Sequence, residues 1–406
     1  MLSRLLLQNS KLTSTSLSLV SQLLGILQLI LLITKVGPGR ETDTYFYIFA
    51  IGLVFPQIFI DGFISPAMLR GRLSAKSINK IMVLCLILIF IFNFLAYLKI
   101  RSNGNNAAIY VIIVLMLNSL VQFVNWFYAS VKAVFGIPFF KSGMFIPANS
   151  LGVIMLLMPE ENSYQNVLNM CIGLLIGNLA FLFAIKLNPP LRSEFNNLVV
   201  LNSSGNYYWL LVKSFCSYFG ILGIQTIAFD LKASAITFLA IPGKIVSGFT
   251  SIFINSILPF HVNVSVFNEL KMKTTIWRYL LFSTLISLIS IIVFLVFFPE
   301  YFLFSIVISV WLVSSVGSSF AQVIVLKKLP PGAVIFSIFP IFLVYALLIT
   351  MTRFNQIDIL ALFIAFALID ALSASIQFIQ IRYWQFAGVF TLTSLVLLVS
   401  ILQFLF

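Results

Sequence analysis

The chain is poor in charge, in histidine and in cysteine. Only 9% of its 406 residues are charged, against about 25% in an ordinary soluble domain. The 24 basic and 11 acidic side chains cannot cover a 45.5 kDa protein in water. A cytosolic enzyme, a secreted domain and a disordered chain are thereby excluded. His261 is the sole histidine, so no His-based metal cluster and no Ser-His-Asp triad can be assembled elsewhere. Cys85, Cys171 and Cys216 lie in apolar runs without CxxC spacing. They read as small buried hydrophobes, neither a disulfide framework nor a metal site. No Gly-rich loop ends in Lys-Ser/Thr, so ATP hydrolysis is not expected. The GPGRETD stretch at 37–43 lacks the strand-and-helix context such a loop needs. No cofactor is expected.

What the chain has in abundance is apolar side chains, 61% of the total, with 43 Phe. The solvent for most of its surface is therefore lipid. About 20 continuous apolar residues make a helix that crosses a bilayer, whereas barrel strands are shorter and alternate. Thirteen runs qualify, at 13–34, 44–68, 81–99, 107–131, 142–158, 164–187, 207–229, 233–260, 279–299, 302–326, 333–351, 358–381 and 383–405. The first follows Arg4 and Lys11, exceeds the about 7–15 residues of a signal-peptide core, and is expected to be retained. The expected fold is all-α, a bundle of 12–14 transmembrane helices.

Lys and Arg are retained on the cytoplasmic side of short loops. With the N-terminus inside, sixteen of the 24 basic residues fall in inner segments and six outside, namely Lys35, Arg40, Lys99, Arg101, Lys232 and Arg353. Lys213 and Lys244 fall within spans. The +13 charge is thus a topology signal for an inner-membrane, multi-pass protein and says nothing of nucleic acid. The loops are too short for a catalytic domain, which argues against a glycosyltransferase or polymerase and against any enzyme.

The segment at 42–68 resembles that at 232–260. Both follow a short outer loop, pass through Phe-Ala-Ile or Phe-Leu-Ala-Ile, and end near Pro66 or Pro259. Their separation is close to half the chain, which points to a repeat. The expected organisation is a six-helix lobe at 1–200 and a second lobe at 201–406 with one extra span. Such halves enclose a midplane cavity and rock to expose it alternately.

The same stretch, with Asp43, Phe46, Asp61, Gly62, Ser65 and Ala67, resembles the first loop and second helix of the lipid II flippase family (MviN/MurJ-like). The segment at 127–155, with Pro147 and Asn149, resembles that family's fourth and fifth helices. The wider group is the multidrug/oligosaccharidyl-lipid/polysaccharide exporter superfamily, which includes Wzx-type O-antigen flippases. The resemblance covers about residues 1–190. It implies a flippase that carries a polyprenyl-diphosphate-linked oligosaccharide, a cell-wall or surface-polysaccharide precursor, across the inner membrane by alternating access. The family's cavity arginines on helices one, two and eight are replaced here by Gln28, Gln57 and Ala240. That departure points to a lipid-linked glycan other than lipid II.

A charge at mid-bilayer costs about 2.5–3.5 kcal/mol on insertion scales and needs a reason. Lys244, beside Pro242-Gly243, is the first candidate. A helix broken there lets backbone line a cavity. Lys244 and Lys213 would bind the diphosphate as point charges. The alternatives are snorkelling for Lys213 and an ion pair such as Lys244–Asp61. Asp61 and Asp370 would hold a coupling ion, H+ or Na+. Asp43 would cap its own helix or act in gating. Asn118, Gln122 and Asn125 share one face of a helix near Trp126 and would line a sugar site, or else bond neighbouring helices. The expected partners are the bilayer, the lipid-linked glycan and the coupling ion, with the protein acting as a monomer. The alternative function is a cation-coupled multidrug exporter of the same superfamily.

Overall fold

A computed structural model describes residues 2–65, 75–102, 108–134, 139–160, 162–186, 208–231, 233–256, 269–353 and 357–404. Ala67, Pro66, Pro259, His261 and the expected lobe boundary at 200/201 lie outside them. Among the described residues there is no strand, and thirteen helices are long and apolar enough to cross a membrane. In hydrocarbon a helix satisfies its own backbone groups, so continuous apolar sequence folds this way.

The helices are α1 (Leu2–Val36), α2 (Arg40–Pro56, continued by a π-helical segment Gln57–Ile64), α3 (Ala75–Ser102), α4 (Ala108–Val134), α5 (Ile146–Leu157), α6 (Ser163–Lys186) and α7 (Tyr208–Leu231). They continue as α8 (Ala235–Ser256), α9 (Glu269–Phe297), α10 (Phe302–Lys328), α11 (Phe339–Arg353), α12 (Ile359–Gln380) and α13 (Trp384–Leu402). A short helix, Phe139–Gly143, precedes α5. The run expected at 142–158 is therefore two pieces, with Pro147 in the first turn of the second. The last two spans are separated by a turn in which Arg382 has φ of 61°.

The chain forms two compact units, 1–237 and 238–406. The first ends later than the expected boundary because α7 packs on α2 and on its π-helical continuation. A methyl on Gly62 would collide with Ser214 of α7, and one on Gly52 with Ser119 of α4. Phe55, Phe92 and Phe219 form an aromatic cluster across α2, α3 and α7. α5 and α6 come together most intimately: a methyl on Gly173 would lie 2.5 Å from the Leu151 carbonyl oxygen, and one on Gly177 would strike the backbone of Pro147 and Ala148. With no hydrophobic drive between helices in lipid, such close approach and interhelical hydrogen bonds supply the adhesion. Asn149 donates to the Ser21 carbonyl at 3.1 Å and ties α5 to α1.

In the second unit α10, α12 and α13 form the core, with Gly317 of α10 accommodating the Phe390 ring of α13. Ser375 and Thr391 join α12 to α13 at 2.6 Å.

Two prolines behave differently. Pro56 cannot donate to the carbonyl one turn back. After it the ladder widens, and Ser65 N–H reaches the Ile60 carbonyl five residues back. Pro242 lies inside α8, which continues unbroken to Ser256. The break expected at Pro242-Gly243 is therefore absent. One missing donor is tolerated there, and the departure from α-helix falls in α2 instead, directly before Asp61.

Gly177→Val forces backbone apart from backbone, and overpacking of this kind costs about 1–3 kcal/mol. Gly317→Val meets the tip of the Phe390 side chain, which can shift about χ1 where backbone cannot, and should cost less. Thermal unfolding in detergent should rank the two in that order.

Candidate functional site

The first unit holds a charge cluster on the π-helical segment. Lys141 of the short helix donates to Asp61 Oδ1 at 2.8 Å, and Trp126 Nε1 of α4 donates to the same oxygen at 3.3 Å. The side chains of Lys141 and Asp61 are 18% and 31% exposed, whereas Trp126 is buried. Among the described residues Asp61 Oδ2 has no hydrogen bond. The widened turn after Pro56 presents Asp61 toward α4 and the short helix, and π-helical turns often mark functional positions. Gln57 stands one turn ahead on the same segment, and Tyr218 of α7 lies within range of the Asp61 charge. Lys213 neighbours Ser214, the residue seated on Gly62.

The ion pair considered above, Lys244 with Asp61, is thus replaced by Lys141 with Asp61. By sequence Lys141 is one of the sixteen inner-segment cations. The available sign was its setting, Phe139-Phe140 before it and an apolar helix after it, which makes it the start of a span.

The carboxamides are elsewhere and differently employed. Asn178 of α6 donates to Asn118 Oδ1 at 2.8 Å, Asn125 donates to the Asn178 carbonyl at 2.7 Å, and Asn118 reaches Gln122 at 3.5 Å. Asn118, Gln122 and Asn125 are 1–3% exposed. They lock α4 to α6 and leave no face for a sugar. No spacing along α6 marks Asn178, because its partners Asn118 and Asn125 are on α4. Gln28 of α1 is likewise buried, packed against Gly152 of α5.

Asp43 does not cap its own helix. Thr42 does that, accepting from Gly39 N–H at 2.9 Å. The Asp43 carboxylate reaches the start of α8, accepting from Ser234 N–H at 2.6 Å, Thr237 N–H at 2.8 Å and the Thr237 hydroxyl at 2.6 Å. The first turn of a helix has unsatisfied donors and favours negative charge, so this is a cap supplied from another helix. Ser234 takes a left-handed φ of 76° there. Close by, Lys99 of α3 pairs with Asp230 of α7 at 3.1 Å and lies over the stacked rings of Tyr47 and Phe229.

In the second unit Asp370 of α12 accepts from Trp311 Nε1 of α10 at 3.0 Å, and the Ser315 hydroxyl of α10 meets Thr250 of α8 at 3.2 Å. A carboxylate held by an indole N–H therefore occurs in each unit. Lys244 is half-buried on α8. Among the described residues neither Lys244 nor Lys213 makes an ion pair. Among the described residues no group of three or more His, Cys, Asp or Glu could hold a metal ion.

These features define a polytopic helical membrane protein with ionisable side chains held inside its spans. Its fold is that of the MATE transporters. It is similar to the outward-facing conformation of a multidrug resistance MATE family transporter of the MOP superfamily, with a TM-score of 0.55 and 12% identity over 96% of this chain and 97% of that one. It is similar to a MATE in the straight conformation, with a TM-score of 0.55 and 10% identity over 94% and 96%. The eukaryotic MATE transporter AtDTX14 matches with a TM-score of 0.50 and 9% identity over 97% and 99%. No family model and no curated protein matches the sequence. At these identities the likeness is one of fold, and the structures compared are transporters.

Asp43→Ala removes three hydrogen bonds to one carboxylate, and a single bond to a charged group contributes about 1.5–3 kcal/mol. The Thr237 amide should exchange with deuterium at least about tenfold faster, since each 1.4 kcal/mol is tenfold. Unchanged exchange would show that the cap contributes nothing.

Proposed function

We propose that the chain is a cation-coupled exporter that carries an amphiphilic cargo across the membrane by alternating access. Asp61 is the observation that carries this reading. Its carboxylate lies within a span, one oxygen is held by Lys141 and Trp126, and the side chain is partly open. An intramembrane acid of this kind marks an ion path. An arriving H+ or Na+ competes with the Lys141 ammonium for the carboxylate, and the released lysine changes how the short helix sits on the π-helical segment. Asp370 is the corresponding acid of the second unit. Asp43 serves as a latch at the end of the molecule where α2 and α8 begin. The solved MATE structures with this fold favour multidrug-type cargo over the glycan first read from the sequence. In this proposal the protein acts as a monomer in the inner membrane with its N-terminus cytoplasmic, as the Lys/Arg asymmetry directs.

A second reading has its own observation. Lys213 and Lys244 sit in spans, and among the described residues no ion pair offsets their charge. A diphosphate headgroup would do so. With the resemblance over residues 1–190, this supports a flippase for a polyprenyl-diphosphate-linked oligosaccharide.

Proteoliposomes loaded with a cationic dye separate the two. The first reading expects efflux under an imposed proton or sodium gradient, reduced at least about tenfold by Asp61→Asn. Absence of wild-type efflux would sink it. The second expects Lys244→Ala to abolish glycan export in cells while leaving protein levels unchanged, and normal export by that variant would remove it.

A further inference from the structure

The second unit carries a basic corner that the transport reading does not use. Three helix ends meet there: the start of α9, the end of α10, and the turn from α12 to α13. Tyr383 lies in that turn, 2% exposed, its ring packed with Phe378 and Phe386. Lys273 of α9 places its ammonium 4.6 Å from the ring centroid, and Lys328 of α10 places its own 5.1 Å away. Two exposed cations from different helices thus converge on one buried aromatic plate. Lys328 is at a helix C-terminus, which welcomes positive charge, but Lys273 is near an N-terminus, which does not. The local helix therefore does not account for the pair.

Arg382 adds a second, independent observation. It is exposed and holds φ of 61°, a left-handed backbone that glycine adopts freely and arginine does not. Backbone bonds from Arg382 N–H to the Ile379 carbonyl and from Tyr383 N–H to the Phe378 carbonyl hold it there, and residues so held cluster at ligand clamps. The level of the corner is also marked. Trp384 is 65% exposed and Trp277, whose ring lies 5.0 Å from Phe386, is 41% exposed. Exposed tryptophans settle at the headgroup level, and basic pockets between helices on the cytoplasmic side bind lipid headgroups.

We propose that Lys273 and Lys328, over the Tyr383 ring, together with Arg382 next to it in the chain, form a binding site for the phosphate of an anionic phospholipid in the cytoplasmic leaflet. The two lysines come from different helices, so the headgroup clamps α9 and α10 against the α12–α13 turn. The acyl chains lie along the exposed apolar face of α9, where Leu281, Leu285 and Leu288 point outward.

The test is thermal unfolding of the purified full chain in detergent micelles, with phosphatidylglycerol or phosphatidylcholine added. For the wild type, phosphatidylglycerol should raise Tm several degrees above phosphatidylcholine. The Lys273→Gln/Lys328→Gln double variant should lose more than half of that increment. Arg382→Gly is the sharper variant. Glycine fits the left-handed turn, so stability in phosphatidylcholine should hold or rise while the phosphatidylglycerol increment falls. Equal increments in wild type and variants, no wild-type increment, or an equal shift from inorganic phosphate alone would each overturn the site.

Discussion

Hydrocarbon supplies no hydrogen bonds and does not solvate charge, so each polar group within the spans must find its partner in the protein. Much of the described structure follows from that constraint. The backbone satisfies it by becoming helix. The carboxamides meet it in large part by bonding across α4 and α6, with Asn125 Oδ1 left without a partner. Asp43 satisfies it by accepting the donors at the start of α8, which in turn relieves a helix end that would otherwise be costly. Close glycine contacts between α5 and α6 supply the adhesion that water would provide to a soluble bundle.

Asp61 is the informative charged case, because its satisfaction is incomplete. A purely structural ion pair gains from enclosure and from using both carboxylate oxygens. Here both donors go to one oxygen and the side chain remains partly open. The segment that carries it has left α-helical geometry after Pro56. An acid that is held but not sealed, on a helix already perturbed, is suited to exchanging one cation for another. The Asp370 site of the second unit is built around an indole without a lysine, so the two acids need not respond to the same ion in the same way.

The span pattern was legible in the sequence because a run of about 20 apolar residues has few alternatives in lipid. Among the described residues every expected span overlaps a helical segment, the one expected at 142–158 as two helices. The candidate site was legible only in part. Asp61 announces itself as a charge in an apolar run, but Lys141 at the margin of a span looks like any loop cation. Its role depends on how a short helix packs against α1 and α4 and so brings Lys141 to Asp61, which periodicity does not encode. Asp43 could be placed at a helix start, yet the helix it caps is 191 residues away along the chain. Asn118, Gln122 and Asn125 share a face, as their spacing requires. Whether that face meets a cavity or Asn178 is a matter of packing between helices. The break expected at Pro242-Gly243 is absent for the same reason: a missing donor is local, but its consequence is decided by neighbours.

The central claim is that Asp61 exchanges its internal lysine for an external cation. The most direct measurement is the displacement current from proteoliposomes on a solid-supported membrane, after a proton or sodium concentration jump with no cargo present. The account predicts a transient current from the wild type that is absent in Asp61→Asn. A wild-type protein without such a current, or an Asp61→Asn variant with an undiminished one, would contradict it.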